Sequence, residues 1–328
     1  MDTVHPPLQI DREQLRALMG LDDYLDAVER AFRAHGEGRT SQPMPLHIAV
    51  EGGGFHAKGA YVAFDRAYVA VKVNSNFPGN PAKGLPTIQG AVLLYDAADG
   101  RLLAILDSME ITSKRTAAAS ALAARYLARQ DARAIAILGC GEQGRAQLAA
   151  IARVRPIAQA FAWDADTAKA RHFAHEMAES LGIPVEALPA LPDAISTADI
   201  VVTATSSAQP FLTRDLVRPG TFIAAVGADN PHKSELDPDL FEGTKVVADS
   251  LEQAAAMGDL HHAIEAGKAT RESIHAELAD IVAGRRPGRT NDAEITIFDS
   301  TGLAIEDVAS AAVAYERACD QGRLRLRQ

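Results

Sequence analysis

The chain has 328 residues, more than one domain usually holds, so two domains are the prior expectation. An apolar fraction of 47% is ample for buried cores, and a net charge of −10 without a basic stripe excludes a nucleic-acid partner, which needs a concentrated positive face. Only Cys140 and Cys319 are present, no apolar run reaches membrane-spanning length, and Met1–Pro7 lacks a basic region followed by an apolar core. These features predict a reduced, cytoplasmic protein with no signal peptide, no membrane partner and no structural disulfide.

In chain order, Asp11 is a candidate N-cap for one helix over residues 11–36, where Leu15, Leu18, Met19, Leu25, Val28 and Phe32 recur at helical spacing. The β-prone runs 61–64, 68–73, 90–95 and 102–106 are separated by Gly, Pro, Asn and Asp. They predict an antiparallel or mixed sheet, with Ala97-Ala-Asp-Gly100 as one hairpin turn. A helix capped near Thr112 or Ser113 then runs through residues 117–128. Beyond it, strand and helix patterns alternate. Strands are expected at 133–138, 158–163, 198–205, 220–226, 244–248 and 294–298, and a helix over 167–181 is capped by Asp166 and ended by Gly182 and Pro184. This alternation predicts an α/β protein. A Rossmann-type doubly wound parallel sheet spans 117–305, and a smaller α+β domain is built from 1–116 together with 306–328, the final helix (about 304–318) returning to it. The basic stretch Gly322–Gln328 reads as a solvated end.

The segment Ala134-Ile-Ala-Ile-Leu-Gly-Cys-Gly-Glu-Gln-Gly144 places G-x-G-x-x-G between a buried strand and a helix. Gly139 permits the tight turn, Gly141 lets the backbone approach a pyrophosphate, and Gly144 allows close helix–strand packing. The helix N-terminus then offers oriented N–H donors. The next apolar run stops at Asp164, 25 residues beyond Gly139, where a carboxylate can accept both ribose hydroxyls of an adenosine. Because Ala165 follows, with no arginine to meet a 2′-phosphate, NAD(H) is preferred and NADP(H) is the alternative.

Three further residues carry candidate chemistry, each with a plainer alternative. Lys72 lies in the apolar run Ala70-Val-Lys-Val73, where an unpaired ammonium is costly, so it either faces a site or is satisfied internally. Arg115, expected near a helix start, either invites an anion or is a surface arginine. Asp229 follows a predicted strand at its carboxyl end, as an acid/base or as a turn aspartate before Asn230-Pro231. Asp299-Ser-Thr-Gly302 ends another such strand. The pair His261-His262 resembles metal ligands, but neighbouring helical residues point about 100° apart, so no metal is expected.

Taken together, Gly84-Leu-Pro-Thr87, Thr112-Ser-Lys-Arg-Thr-Ala-Ala-Ala119, Leu138-Gly-Cys-Gly-Glu-Gln143, Thr203-Ala-Thr-Ser206, Val226-Gly-Ala-Asp229, Ser234-Glu-Leu-Asp237, Gly258-Asp-Leu260 and Phe298–Asp307 resemble the ornithine cyclodeaminase/mu-crystallin family over nearly the whole chain. The resemblance implies a homodimer paired through the amino-terminal β domain. It also implies a Rossmann domain holding NAD(P), and hydride chemistry at the Cα of an amino acid or its imine. Lys72 and Arg115 then match carboxylate ligands, and Asp229 matches the acid/base. Thr87, Gly139, Gly141, Glu142, Gln143, Asp164 and Ser300 match cofactor-contacting positions. Arg115, Gly144, Thr203, Thr205, Ala225 and Lys233 complete the candidate cofactor set.

The chain departs from the pattern of true ornithine cyclodeaminases. An arginine expected near Gln42–Leu46 is replaced by Pro45, and a glutamate suited to a distal ammonium aligns with His56, beside Lys58. His56, Lys58 and Val226 are therefore candidate substrate contacts that favour a compact, net-anionic substrate. The leading expectation is NAD(P)H-dependent reduction of a cyclic ketimine such as Δ1-pyrroline-2-carboxylate to L-proline. Ornithine cyclodeamination, an alanine-type dehydrogenase and a non-enzymatic small-ligand binder are the alternatives.

Overall fold

The computed structural model describes residues 6–325; the first five residues of the amino-terminal stretch and the last three of the basic tail lie outside them. The chain divides into two units, residues through Arg115 with those from Leu303 onward, and Thr116–Gly302.

The first unit carries a sheet of β1 (Leu8–Ile10), β2 (Thr40–Ser41), β3 (Leu46–Val50), β4 (Gly53–Ala63), β5 (Ala67–Asn76), β6 (Ile88–Asp96) and β7 (Leu102–Asp107). Its order is β1-β7-β6-β5-β4-β2, with β3 on β4; β1 runs parallel to β7 and the other pairs are antiparallel. The predicted hairpins are present, and Gly100 turns between β6 and β7 at φ +75°. The pleat alternates as period two requires. Ala60, Val62, Tyr68, Ala70, Lys72, Val92 and Leu94 are buried, while Ile48, Phe55, Tyr61 and Val73 are exposed.

Two helix expectations need correction. Residues 11–36 form two helices, α1 (Arg12–Leu18) and α2 (Leu21–Gly36), because Met19 is extended and Asp23 accepts the Gly20 N–H at 2.7 Å, which starts a new helix. The helix expected to start at Thr112 or Ser113 is α3, Ser108–Leu127: Asp107 accepts the Glu110 N–H at 2.9 Å and starts it a turn earlier. Arg115 therefore sits two turns inside the helix, away from the dipole of its N-terminus. The C-terminal helix, Ala304–Arg325, also outruns its predicted end.

The second unit is one eight-stranded sheet of β8 (Ala134–Leu138), β9 (Gln159–Trp163), β10 (Val185–Ala187), β11 (Ile200–Thr203), β12 (Phe222–Ala225), β13 (Lys245–Ala248), β14 (Ala276–Glu277) and β15 (Thr296–Asp299). Its order is β10-β9-β8-β11-β12-β15-β13-β14 and every pairing is parallel. Strands β11, β12 and β15 are buried at every residue, as a sheet covered on both faces demands. This is the Rossmann-type doubly wound fold. The strand order reverses between β8 and β11, so the carboxyl ends of those strands mark the ligand-binding crevice of such sheets.

Candidate functional site

The candidate nucleotide site is built by the turn from β8 into α4 (Glu142–Val154). Gly139 adopts φ +108°, and a Cβ there would stand 2.4 Å from the Ala204 carbonyl oxygen. A Cβ on Gly144 would stand 2.2 Å from the Gly139 oxygen, so both positions exclude side chains for packing reasons. Gly141 differs: nothing lies within 4 Å of where its Cβ would be. The space over the N-terminus of α4 is thus open to a diphosphate. Asp164 directly follows β9, and its carboxylate accepts the Cys140 and Asp166 N–H groups, both at 2.9 Å, which fixes it beside the glycine turn. Arg145 is held by Glu176 at 2.8 Å and by the Cys140 carbonyl at 2.8 Å. Buried oxygens of Gln143 and Ser300 have no hydrogen-bond partner, and Thr203 and Ala225 end β11 and β12. These features fit a dinucleotide.

Asp229 stands on the loop after β12 and is exposed; Lys233 Nζ lies 2.8 Å from its Oδ1. Val226, at the base of that loop, is buried. Beneath the loop lies a feature that sequence reading missed, a run of fully buried carboxylates: Glu235, Asp259, Asp299 and Asp249. Burial raises Glu235 against the pull of its hydrogen-bond donors, and burial with the neighbouring Glu235 pushes Asp259 up to about 7. Asp299 is raised as well, by burial and then by Asp259. The signal was present in Ser234-Glu-Leu-Asp237 and Gly258-Asp-Leu260, where acidic residues interrupt apolar surroundings.

The first unit holds the cations. Lys72 on β5 and Arg115 on α3 are 5% and 4% exposed. Lys72 Nζ donates to Asp307 at 2.9 Å and to Thr112 Oγ1 at 3.1 Å; Arg115 donates to Asp307 and to Glu306, each at 3.1 Å. Burial, then Arg115, lower Lys72 to about 8, while Lys72 and Arg115 hold Asp307 below the usual carboxylate range against its own burial. Both acids lie in the first turn of the C-terminal helix, where its dipole favours negative charge. In the sequence the only signal for Glu306 and Asp307 is an acidic pair inside the apolar run Leu303-Ala-Ile-Glu-Asp-Val-Ala309. Lys58 faces Lys72 directly across β4 and β5, and His56 faces Asn74 on the same side of the sheet. His56 also packs against His47, ring centroids 4.4 Å apart and the rings tilted by 46°. Thr87 is half-buried just before β6.

The two neighbouring histidines come close despite their angular offset, ring centroids 5.1 Å apart. His261, His262 and Glu265 each offer an atom within 4.8 Å of the others, because Glu265 comes round between them one turn later. Both rings are engaged with backbone, His261 Nδ1 with Ala255 O at 3.2 Å and His262 Nε2 with Lys233 O at 2.8 Å, so His262 braces the segment carrying Lys233.

Compared with known proteins, residues 9–322 match the profile described as the ornithine cyclodeaminase/mu-crystallin family. The chain is 39% identical over 311 residues to alanine dehydrogenase of Archaeoglobus fulgidus, covering 95% of each chain. Among solved structures it superimposes with a TM-score of 0.92 and 38% identity on an archaeal alanine dehydrogenase dimer with bound NAD, over 96% of this chain and 97% of the other. It matches Thermococcus litoralis Δ1-pyrroline-2-carboxylate reductase in complex with NADH and L-proline equally well, with a TM-score of 0.92 and 38% identity over 96% and 98% of the chains.

The Asp307 arrangement generates a stability prediction. Asp307→Asn leaves two buried cations with one carboxylate fewer, and breaking a buried ion pair from one side costs about 3–5 kcal/mol. Denaturant unfolding at neutral pH should show that loss; a change under about 1 kcal/mol would mean that the cluster behaves as a solvated surface pair.

Proposed function

This chain belongs to the ornithine cyclodeaminase/mu-crystallin family, and from that premise we propose that it reduces a cyclic ketimine of the Δ1-pyrroline-2-carboxylate type to an L-imino acid such as L-proline. It is an NAD(H)-dependent enzyme of carbon–nitrogen bonds in amino or imino acids, like the relatives it matches. The finer reading rests above all on one observation, the register of Lys58 against Lys72. With Arg115, these residues bring three cationic side chains close enough to act on one another or on Asp307. Such a surround suits a small substrate bearing a carboxylate and disfavours the distal ammonium of ornithine. An alanine-type reaction is the second reading, favoured by the similarity to the Archaeoglobus enzyme.

In this reading Lys72 and Arg115 grip the substrate carboxylate, Arg115 through a guanidinium whose fork matches it. His56 and Lys58 border the substrate, and Val226 supplies an apolar contact. Gly139, Gly141, Gly144, Glu142 and Gln143 hold the diphosphate region of the cofactor, and Asp164 takes the adenosine ribose. Thr87, Thr203, Thr205, Ala225, Lys233 and Ser300 complete its contacts. A carboxylate at Asp164 accepts ribose hydroxyls and repels a 2′-phosphate, which favours NAD(H) over NADP(H). When bound, the cofactor supplies a hydride to the C=N carbon. Asp229 gives the balancing proton to the imine nitrogen, so imine, hydride and proton together make the amine. No metal is assigned a role. The exposed apolar row of Ile48, Phe55, Tyr61 and Val73 is assigned to a second copy of the chain, making a homodimer.

Incubation with Δ1-pyrroline-2-carboxylate and NADH should consume NADH without releasing ammonia; ammonia and proline from ornithine with NAD, at no net NADH change, would contradict the reductase reading. Asp229→Asn should lower turnover by about 10³-fold with NADH binding retained.

Lys72 also sets a pH dependence. Its protonated form binds the carboxylate, and its folded-state value is lowered to about 8. The KM for the imine should therefore be flat below that pH and rise above it, by up to about tenfold per pH unit. A KM that stays level to pH 10 would remove Lys72 from carboxylate binding.

A further inference from the structure

The buried carboxylate of Glu235 makes more backbone connections than a packing role requires. Its Oε1 accepts both the N–H and the hydroxyl of Thr205, each at 2.6 Å, and its Oε2 accepts the Gly227 N–H at 2.9 Å. Thr205 lies just beyond β11 and Gly227 just beyond β12. One side chain therefore clasps the two adjacent segments that leave the sheet at its carboxyl edge. The fit is close: a Cβ on Gly227 would stand 2.3 Å from Oε1, so only glycine admits the carboxylate there. Glu235 is itself anchored. Its N–H donates to Asp259 Oδ1 at 2.8 Å, and its carbonyl accepts the N–H groups of Phe211 at 2.9 Å and Leu212 at 3.0 Å. From Gly227 the loop continues directly to Asp229, whose N–H returns to the Gly227 carbonyl at 3.1 Å.

We propose that Glu235 is a positioning residue, whose carboxylate ties the segment after β11 to the segment after β12 and thereby fixes where Asp229 stands. This rests on the reading of Asp229 as the acid/base. Two oxygens are needed because donors approach both. A glutamine of the same size presents one oxygen and one NH2, and the NH2 opposes an N–H or O–H wherever it is turned. Asp259 has the supporting part of receiving the backbone of Glu235 and, at 3.0 Å, of Leu236.

The test is Glu235→Gln, with Thr205→Val as a milder variant that deletes the hydroxyl arm at nearly constant volume. Amide hydrogen exchange of the full chain reads the tie whatever the substrate is. Exchange at residues 205 and 227 should quicken at least about tenfold, while the strand amides of Ile223 and Ala224 keep their protection. In single turnovers at high enzyme concentration, Glu235→Gln should lower the rate of imine reduction about 10²-fold with little change in KM, because the proton donor is misplaced while the carboxylate grip is intact. In a double-mutant cycle, Glu235→Gln placed on Asp229→Asn should add no further loss. Unchanged exchange at 205 and 227, equal quickening throughout the sheet, or losses that multiply in the cycle would overturn the proposal. Full turnover by Asp229→Asn would instead overturn the acid/base reading, and the exchange result would still decide whether Glu235 makes the tie.

Discussion

Two cations and two carboxylates, almost wholly removed from water, set the chemistry of the first unit. Lys72, Arg115, Glu306 and Asp307 come from β5, α3 and the start of the C-terminal helix, and none is tolerable there alone. Taking an ion out of water costs several kcal/mol, and attraction repays this only where geometry and hydrogen bonding are good. Here each cation has a carboxylate partner within 3.1 Å, and Thr112 supplies a further oxygen to Lys72. The cluster thus requires that the far end of the chain return to the first unit, since its two acids follow Leu303. It also leaves the ammonium of Lys72 poised near pH 8. Such a cation is able to exchange part of an internal partner for an incoming carboxylate.

The second unit solves a related problem with the opposite charge. Its parallel sheet ends in peptide groups that helix and loop must satisfy, and buried acids do much of this. Asp249 accepts the N–H groups of Thr301 at 2.7 Å and Gly302 at 2.6 Å, Asp299 accepts that of Leu260 at 2.8 Å, and Glu235 clasps Thr205 and Gly227. Carboxylates suit this task because each offers two oxygens to donors that converge from neighbouring strand ends. The cost is burial first and crowding of like groups second, which together make Asp259 and Asp299 hold protons more firmly than ordinary aspartates.

Local patterns made much of this legible. The strand–glycine–helix run at 134–154 announced its own geometry, because Gly139 takes a positive φ and Gly144 packs on the Gly139 carbonyl within the same turn. The parallel alternation followed from apolar runs separated by well-capped helices, such as the one between Asp166 and Gly182. Long-range partnership was not legible. Nothing near Lys72 in the sequence reveals Asp307, 235 residues later, and nothing near Thr205 reveals Glu235. Helix starts were misplaced for a related reason. Asp107 and Asp23 decide where α3 and α2 begin through single side-chain hydrogen bonds, which residue periodicity does not record. The short strands β1 and β2 are set by their pairing partners, and their own composition does not announce them.

The central claim is that a buried cation pair recognises a carboxylate beside a carbon–nitrogen double bond. Its most direct test compares kcat/KM, with NADH, for Δ1-pyrroline-2-carboxylate and for Δ1-pyrroline, which lacks only the carboxylate. A site that leaves Lys72 and Arg115 without their external anion should discriminate by about 10²-fold or more in favour of the carboxylate. Equal values for the two imines would contradict the account.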